Sequence, residues 1–253
     1  MFELEHDQPD YRADRMCWIA LAMLTLALAS ASIYRVCWLA LFYTGHRPLV
    51  GVFIGWEPLD LWLRGFSTWP KFFAALGLLR LSSERAWRRR GALFLFCTMI
   101  DVGLWTIENG EALGFTNLED RDHEWLRYGI GTAVGWSEFL LVAGMCSDVA
   151  TYYGRSRIFE FSRSIRSLSL TGMALWFFFF VTATRWGVPG PIGLRRLTFE
   201  IFLLWQAVRL IWTICLLQTT GLAIVALRSC GEALTQALRS KRARDEWDSE
   251  SPR

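Results

Sequence analysis

Five of the ionisable residues inside the long apolar stretches of this chain are of types that would allow ion pairing, cation binding or proton transfer. They are three acids and two arginines: Asp101, Glu138, Asp148, Arg35 and Arg209. A charge at the centre of a bilayer costs at least about 2.5–3.5 kcal/mol on insertion scales, so such residues either pair or serve a function. Because a guanidinium group binds a carboxylate through two parallel hydrogen bonds, we predict that Arg209 contacts Asp101 or Glu138 and that Arg35 contacts Asp148.

The two predicted pairs account for two of the three acids, so one carboxylate has no predicted arginine partner. Asp101, Glu138 and Arg209 each lie near the middle of an apolar stretch, so two acids at one depth would share one arginine. An acid beside an ion pair can stay protonated, bind a cation or relay protons. The alternative is a structural role, because buried polar side chains commonly hold membrane helices together at about 0.6 kcal/mol per contact.

Two glycines precede Glu138 on the same helical face. Gly131, Gly135 and Glu138 follow one another at spacings of four and three residues, which puts all three on one side of a helix. Small residues four apart let a second membrane helix approach closely. We therefore predict a helix-packing face at Gly131 and Gly135, with Glu138 pointing into the bundle.

The elements that must position these residues are five apolar stretches of the 253-residue chain, which is 53% hydrophobic. They cover residues 16–43, 91–108, 128–150, 167–186 and 197–227. A helix needs about 20 apolar residues to cross the hydrocarbon of a bilayer, and this composition excludes disordered, collagen-like and small disulfide-rich proteins. The predicted fold class is all-α, a polytopic transmembrane helix bundle of five spans.

The charged segments between the stretches predict the orientation. Segments 80–90 and 151–166 are rich in arginine, whereas the N-terminal segment and the 109–127 loop are acidic. Basic loops stay on the cytoplasmic side, so we predict that the N-terminus lies outside and the C-terminus lies in the cytoplasm. The chain then divides into an acidic N-terminal segment at 1–15, a transmembrane bundle at 16–227, and a cytoplasmic tail at 228–253 that is basic and then acidic.

Segment 46–79 of the bundle has a different character. Its apolar pieces at 49–54 and 72–79 are each too short to cross, and tryptophans lie between them. Short apolar pieces and tryptophans suit the membrane interface, so we predict an interfacial or re-entrant segment. If both pieces crossed, the bundle would have seven spans with the same orientation of its two ends.

The acidic outer loop is a second candidate site. Its carboxylates and one histidine could hold a divalent cation, mainly through oxygen ligands. The alternative is a solvated loop with a helix cap. The residues of this possible cation loop are Glu111, Asp120, Asp122, His123 and Glu124.

The sequence does not indicate other chemistry. It has no HExxH, GxSxG or Walker A sequence, its three histidines lie outside the apolar stretches, and no cysteine pair has CxxC spacing. Retinal attachment needs a lysine within a span, and the two lysines, Lys71 and Lys241, lie outside the five stretches. We predict no catalytic residue, no bound metal, no cofactor and no nucleic-acid partner.

These observations favour a non-enzymatic integral membrane protein that acts as an accessory or assembly subunit of a membrane complex. One alternative is a proton or cation transporter or channel component that uses Asp101 and Glu138, and a second is a membrane enzyme that uses the acidic outer loop. The expected partners are the lipid bilayer and either other membrane subunits or a second copy of the chain. The strong charge bias favours a bacterial inner membrane.

Overall fold

The structure is a computed structural model that describes residues 11–43, 57–81, 85–108, 124–153, 158–185 and 199–250. Within these ranges the chain forms six α-helices and no strand. The helices are α1 (Tyr11–Tyr43), α2 (Glu57–Leu81), α3 (Arg85–Glu108), α4 (Glu124–Tyr152), α5 (Ile158–Arg185) and α6 (Phe199–Glu250). The predicted all-α class is therefore confirmed for the described part of the chain.

Five of the helices are long and apolar enough to cross a membrane. Their apolar spans are Asp14–Cys37 in α1, Arg88–Ile107 in α3, Gly129–Tyr152 in α4, Ile158–Thr182 in α5 and Ile201–Ala243 in α6. These are the helices that the five apolar stretches predict. They are compatible with an integral membrane protein, because each exceeds the length that a bilayer requires.

The sequence does not predict α2 as a long helix. Glu57–Leu81 is one continuous helix of 25 residues, which corresponds to a length of about 37 Å. It contains the piece 72–79, whereas residues 46–56 lie outside the described residues. Between Glu57 and Leu81 the chain does not turn back on itself. The prediction of an interfacial or re-entrant segment at 46–79 stays a prediction.

Contacts near one end of the bundle show that α2 and α3 are antiparallel and that α4 and α5 are antiparallel. Gly91, near the start of α3, packs against Leu79, near the end of α2. Ser162, near the start of α5, donates a hydrogen bond of 2.8 Å to the carbonyl oxygen of Ala143 in α4. We call this end of the bundle the arginine end, because exposed arginines surround it: Arg15, Arg88, Arg89, Arg163 and Arg228.

The opposite end has the matching contacts. Trp69 in the first half of α2 packs edge-on against Trp105 near the end of α3, with ring centroids 6.1 Å apart. Gly129, near the start of α4, packs against the ring of Phe180 near the end of α5. The helix α2 therefore runs the length of the bundle, from this end to the arginine end.

The start of α1 lies at the arginine end. The hydroxyl of Tyr153, directly after α4, donates a hydrogen bond of 2.6 Å to Oδ1 of Asp14. Burial and this hydrogen bond raise the pKa of Tyr153 above its usual range, so the hydroxyl keeps its proton. The Cys230 thiol of α6 lies 3.6 Å from the backbone oxygen of Asp14.

These contacts do not fit the predicted placement of the N-terminal segment and segment 151–166 on opposite sides. Asp14 and Tyr153 are directly hydrogen-bonded, so the start of α1 and the end of α4 meet at one end of the bundle. The physical reason is α2, because one more helix between α1 and α3 reverses the direction of α1.

Candidate functional site

Lys71 lies between two carboxylates in the interior of the bundle. Its Nζ donates hydrogen bonds to Oδ2 of Asp101 at 2.6 Å and to Oε2 of Glu138 at 2.8 Å. The side chains of Lys71, Asp101 and Glu138 are 13%, 28% and 10% exposed, respectively. We call these three residues the Lys71 cluster.

Three neighbouring helices each supply one member of the cluster, and the helical repeat of α2 turns Lys71 inward. Thr68, Lys71, Ala75 and Leu78 follow at spacings of three, four and three residues, which places them on one face of the helix. Thr68, Ala75 and Leu78 are all buried. The lysine therefore extends from the packed face of α2 toward α3 and α4.

When all three groups are ionised, the cluster has a net charge of −1. Lys71 supplies one positive charge against two carboxylates. The second oxygen of Glu138, Oε1, is buried and has no hydrogen-bond partner among the described residues. An unbalanced charge in a low-dielectric interior is expensive. A further positive charge, either a proton or a cation, would therefore lower the free energy of the cluster.

The surroundings of the cluster differ between the two ends of the bundle. Toward the arginine end, Phe94 of α3 and Leu78 of α2 are fully buried and form an apolar layer. Toward the opposite end lie the paired rings of Trp69 and Trp105, of which Trp69 is 38% exposed. The most exposed member of the cluster is Asp101. Side chains that flank the cluster are therefore fully buried toward the arginine end and partly exposed toward the other end.

The structure gives Arg209 different surroundings from those predicted. Its guanidinium carbon lies 4.2 Å from the ring centroid of Trp205 on the same helix, and the residue is buried. The cation between Asp101 and Glu138 is Lys71, so the predicted pairing with Arg209 is corrected. The prediction considered only cations inside the five apolar stretches, and Lys71 of α2 lies outside those stretches.

Asp148 also has a different partner from the one predicted. It forms an ion pair with Arg90 near the start of α3. Gly144, one turn earlier on α4, leaves room for this arginine, since a Cβ atom there would lie 3.3 Å from Nη1 of Arg90. The Nε of Arg35 donates a hydrogen bond of 3.4 Å to Oγ1 of Thr213. The predicted pair of Arg35 with Asp148 is corrected, because the reversed direction of α1 carries Arg35 away from the arginine end.

The two glycines of α4 make room for side chains of neighbouring helices. Gly135 lies directly under the ring of Trp212 in α6, and Gly131 lies beside Leu104 of α3. The Trp212 ring also packs edge-on against Trp136 of α4, with centroids 4.8 Å apart. The predicted packing face therefore contacts large side chains of two different helices.

The possible cation loop falls almost entirely outside the described residues. Glu111, Asp120, Asp122 and His123 lie in the range 109–123, and Glu124 begins α4 with an undescribed side chain. Among the residues that the structure describes, no group of three histidine, cysteine, aspartate or glutamate side chains is arranged to hold a metal ion. The loop stays a prediction.

Sequence reasoning missed Lys71 and Arg90 as partners of the buried acids. For Lys71 the sequence contains a usable signal, because small and apolar residues recur on its side of α2 at helical spacing. For Arg90 the signal is its position at the start of an apolar span, where an arginine side chain can reach an acid on the next helix.

Five apolar helices around a buried charged cluster are compatible with an integral membrane protein. Comparison of the chain with protein-family models, curated proteins and solved structures finds no match. The role of the protein therefore rests on the chemistry of the Lys71 cluster.

Proposed function

We propose that all six helices cross the membrane. The length of α2, about 37 Å, exceeds the roughly 30 Å of hydrocarbon in a bilayer. Lys71 of α2 bonds to Asp101 and Glu138, which lie well inside the apolar spans of α3 and α4. A helix that meets both acids at that depth and continues to the other end of the bundle crosses the membrane.

The arginine end is the cytoplasmic side in this proposal. Arginine and lysine near the ends of spans set orientation, whereas acidic residues contribute little. The acidic N-terminal segment is therefore compatible with a cytoplasmic position. Six spans then put both ends of the chain in the cytoplasm.

Tags at the two ends of the chain test this arrangement. In inside-out vesicles a protease is expected to remove both tags, and in right-side-out vesicles it is expected to remove neither. A tag inserted in segment 109–123 is the control and should behave in the opposite way. Tags on opposite sides would contradict six spans and support an odd number.

We further propose that the Lys71 cluster binds and releases one proton as part of a transport function. The excess carboxylate supports this proposal, since a second acid beside one ion pair is stabilised by one additional proton. Glu138 is the better site for that proton, because its side chain is 10% exposed and that of Asp101 is 28% exposed. Its Oε2 accepts the hydrogen bond from Lys71, and the buried Oε1 takes the proton.

A proton fits this site better than a metal cation. Calcium takes six to eight oxygen ligands and magnesium takes six, usually including several waters. The Lys71 cluster has only two carboxylates, and the ammonium group of Lys71 lies between them. A proton needs a single oxygen atom, which Oε1 of Glu138 supplies.

Transport requires a second conformation. The buried Phe94 and Leu78 lie between the cluster and the arginine end, which is the cytoplasmic side in this proposal, whereas the side chain of Asp101 is 28% exposed. A proton that enters by way of Asp101 leaves to the cytoplasm only after helices shift around the cluster, as in alternating access. The proposal is therefore a proton-coupled transporter component and not an open channel.

Infrared spectroscopy of the purified protein at neutral pH tests the bound proton. The wild type should show the carbonyl-stretch absorption of one protonated carboxyl group. Glu138→Gln should remove this absorption, and Asp101→Asn should also remove it, because Glu138 then ionises to balance Lys71. Glu160→Gln, at an exposed position of α5, is the matched control and should leave the absorption unchanged. A wild type without the absorption would contradict the proposal.

The accessory-subunit role stays a prediction. Exposed aromatic side chains such as Phe177 and Phe178 of α5 would suit a partner subunit. They suit lipid equally well, because membrane helices present apolar side chains to the bilayer. The Lys71 cluster is the feature that distinguishes this bundle from any other apolar one, and it favours the transport role.

A further inference from the structure

A surface groove with a volume of about 780 Å³ lies between α1 and α6 at the arginine end. One wall is Trp18 of α1, and the other is a run of α6 residues that extends from Ile224 to Arg239. The floor includes Gly231, where a Cβ atom would lie 3.1 Å from Nε1 of Trp18. The absence of a side chain at Gly231 therefore allows the indole ring of Trp18 to pack directly against α6.

The lining of the groove changes from apolar to charged along α6. At the end nearer the centre of the bundle its lining is apolar, from Ile224 and Leu227. Further along α6 it is lined by Arg228, Glu232 and Arg239, and Arg228 forms an ion pair of 2.9 Å with Glu232. These three side chains together have a net charge of +1. Arg239 is exposed. A ligand that fills the whole groove needs both a hydrocarbon part and an anionic part.

The depth of the groove matches the boundary of the membrane. Tryptophan favours the headgroup level of a bilayer, and Trp18 is 40% exposed there. Arg228 is the first charged residue of α6 after the long apolar run that follows Arg209. The apolar part of the groove thus adjoins the acyl chains, and the basic part adjoins the headgroups.

We propose that this groove binds an anionic phospholipid of the cytoplasmic leaflet. The first part of one acyl chain lies along Ile224 and Leu227, and the headgroup phosphate contacts Arg239. Pockets of about 300–1,000 Å³ hold small-molecule ligands, so the volume is sufficient for a headgroup and the start of one chain. Free phosphate would leave the apolar wall empty. A lipid without net charge, such as phosphatidylcholine, would bring a quaternary ammonium group beside its phosphate, which a basic lining disfavours.

The leaflet assignment rests on the proposed topology, whereas binding itself does not depend on orientation. The full chain, purified in a neutral detergent and stripped of lipid, is titrated with phosphatidylglycerol or with phosphatidylcholine of identical chains, and bound lipid is counted by native mass spectrometry. We expect one phosphatidylglycerol molecule to bind in preference to phosphatidylcholine. Arg239→Gln should weaken this binding about fivefold, the equivalent of about 1 kcal/mol per basic residue.

Two further variants separate a groove from general surface charge. Arg242→Gln is the matched control, because Arg242 is exposed on the same helix and does not line the groove. It should leave the affinity unchanged. Gly231→Leu should abolish binding, because the leucine side chain would displace the Trp18 ring and alter the groove without a change of charge. Equal losses in Arg239→Gln and Arg242→Gln, equal binding of both lipids, or full competition by inorganic phosphate would each overturn the proposal. If the tags place the arginine end outside but lipid binding has the expected pattern, the proposed orientation is wrong and the proposed lipid site is supported.

Discussion

Replacement of Lys71 by methionine is expected to lower the free energy of unfolding by about 3–5 kcal/mol. The substitution removes the only ammonium group between Asp101 and Glu138 and leaves two acids facing each other in a low-dielectric interior. Removal of one partner from a buried charged group carries a penalty of this size. Thermal or denaturant unfolding of the purified protein in detergent measures the effect.

The matched control is the other lysine of the chain. Lys241 is exposed on the tail of α6, so Lys241→Met should change the free energy of unfolding by no more than about 0.5 kcal/mol. The triple variant Lys71→Met, Asp101→Asn, Glu138→Gln removes all three charges together and should recover most of the lost stability. A Lys71→Met variant as stable as the wild type would contradict the geometry of the Lys71 cluster.

Glu138→Gln is expected to abolish proton transport while the protein stays folded. Glutamine has nearly the shape of a protonated glutamate and can accept the hydrogen bond from Lys71, but it cannot release a proton. The free energy of unfolding should therefore stay close to that of the wild type. Proton flux driven by a pH gradient across sealed vesicles measures the effect.

The control for this substitution is again Glu160→Gln, which makes the same chemical change at an exposed position of α5. Its flux should equal that of the wild type. If Glu138→Gln retained wild-type flux, Glu138 would not be the proton-carrying group.

Composition predicts most of the helices but not the one that completes the site. The spans of α1, α3, α4, α5 and α6 follow from apolar length alone, because few charges interrupt them. In α2 the charges of Lys71 and Arg64, together with Pro70, break the apolar pattern. Such a helix is stable inside the bundle only because Asp101 and Glu138 of its neighbours balance Lys71, and a single-helix pattern contains no information about those neighbours.

The acids of the site are predictable, whereas their partners are not. Asp101 and Glu138 are identified by their position inside apolar spans, since an ionisable residue there requires a partner or a function. The choice of partner depends on which helices touch and in which direction they run. One additional helix reverses α1, and this change separates Arg35 from Asp148 and gives Asp148 the nearby Arg90 instead.

The triple variant of the Lys71 cluster provides the most direct test of transport by these three residues. Methionine, asparagine and glutamine at positions 71, 101 and 138 remove every charge of the cluster, and the unfolding measurement first establishes that this protein is folded. Proton flux across sealed vesicles is then compared between this variant and the wild type. We expect flux in the wild type and none in the folded triple variant. Equal flux in both would mean that Lys71, Asp101 and Glu138 only hold the helices together.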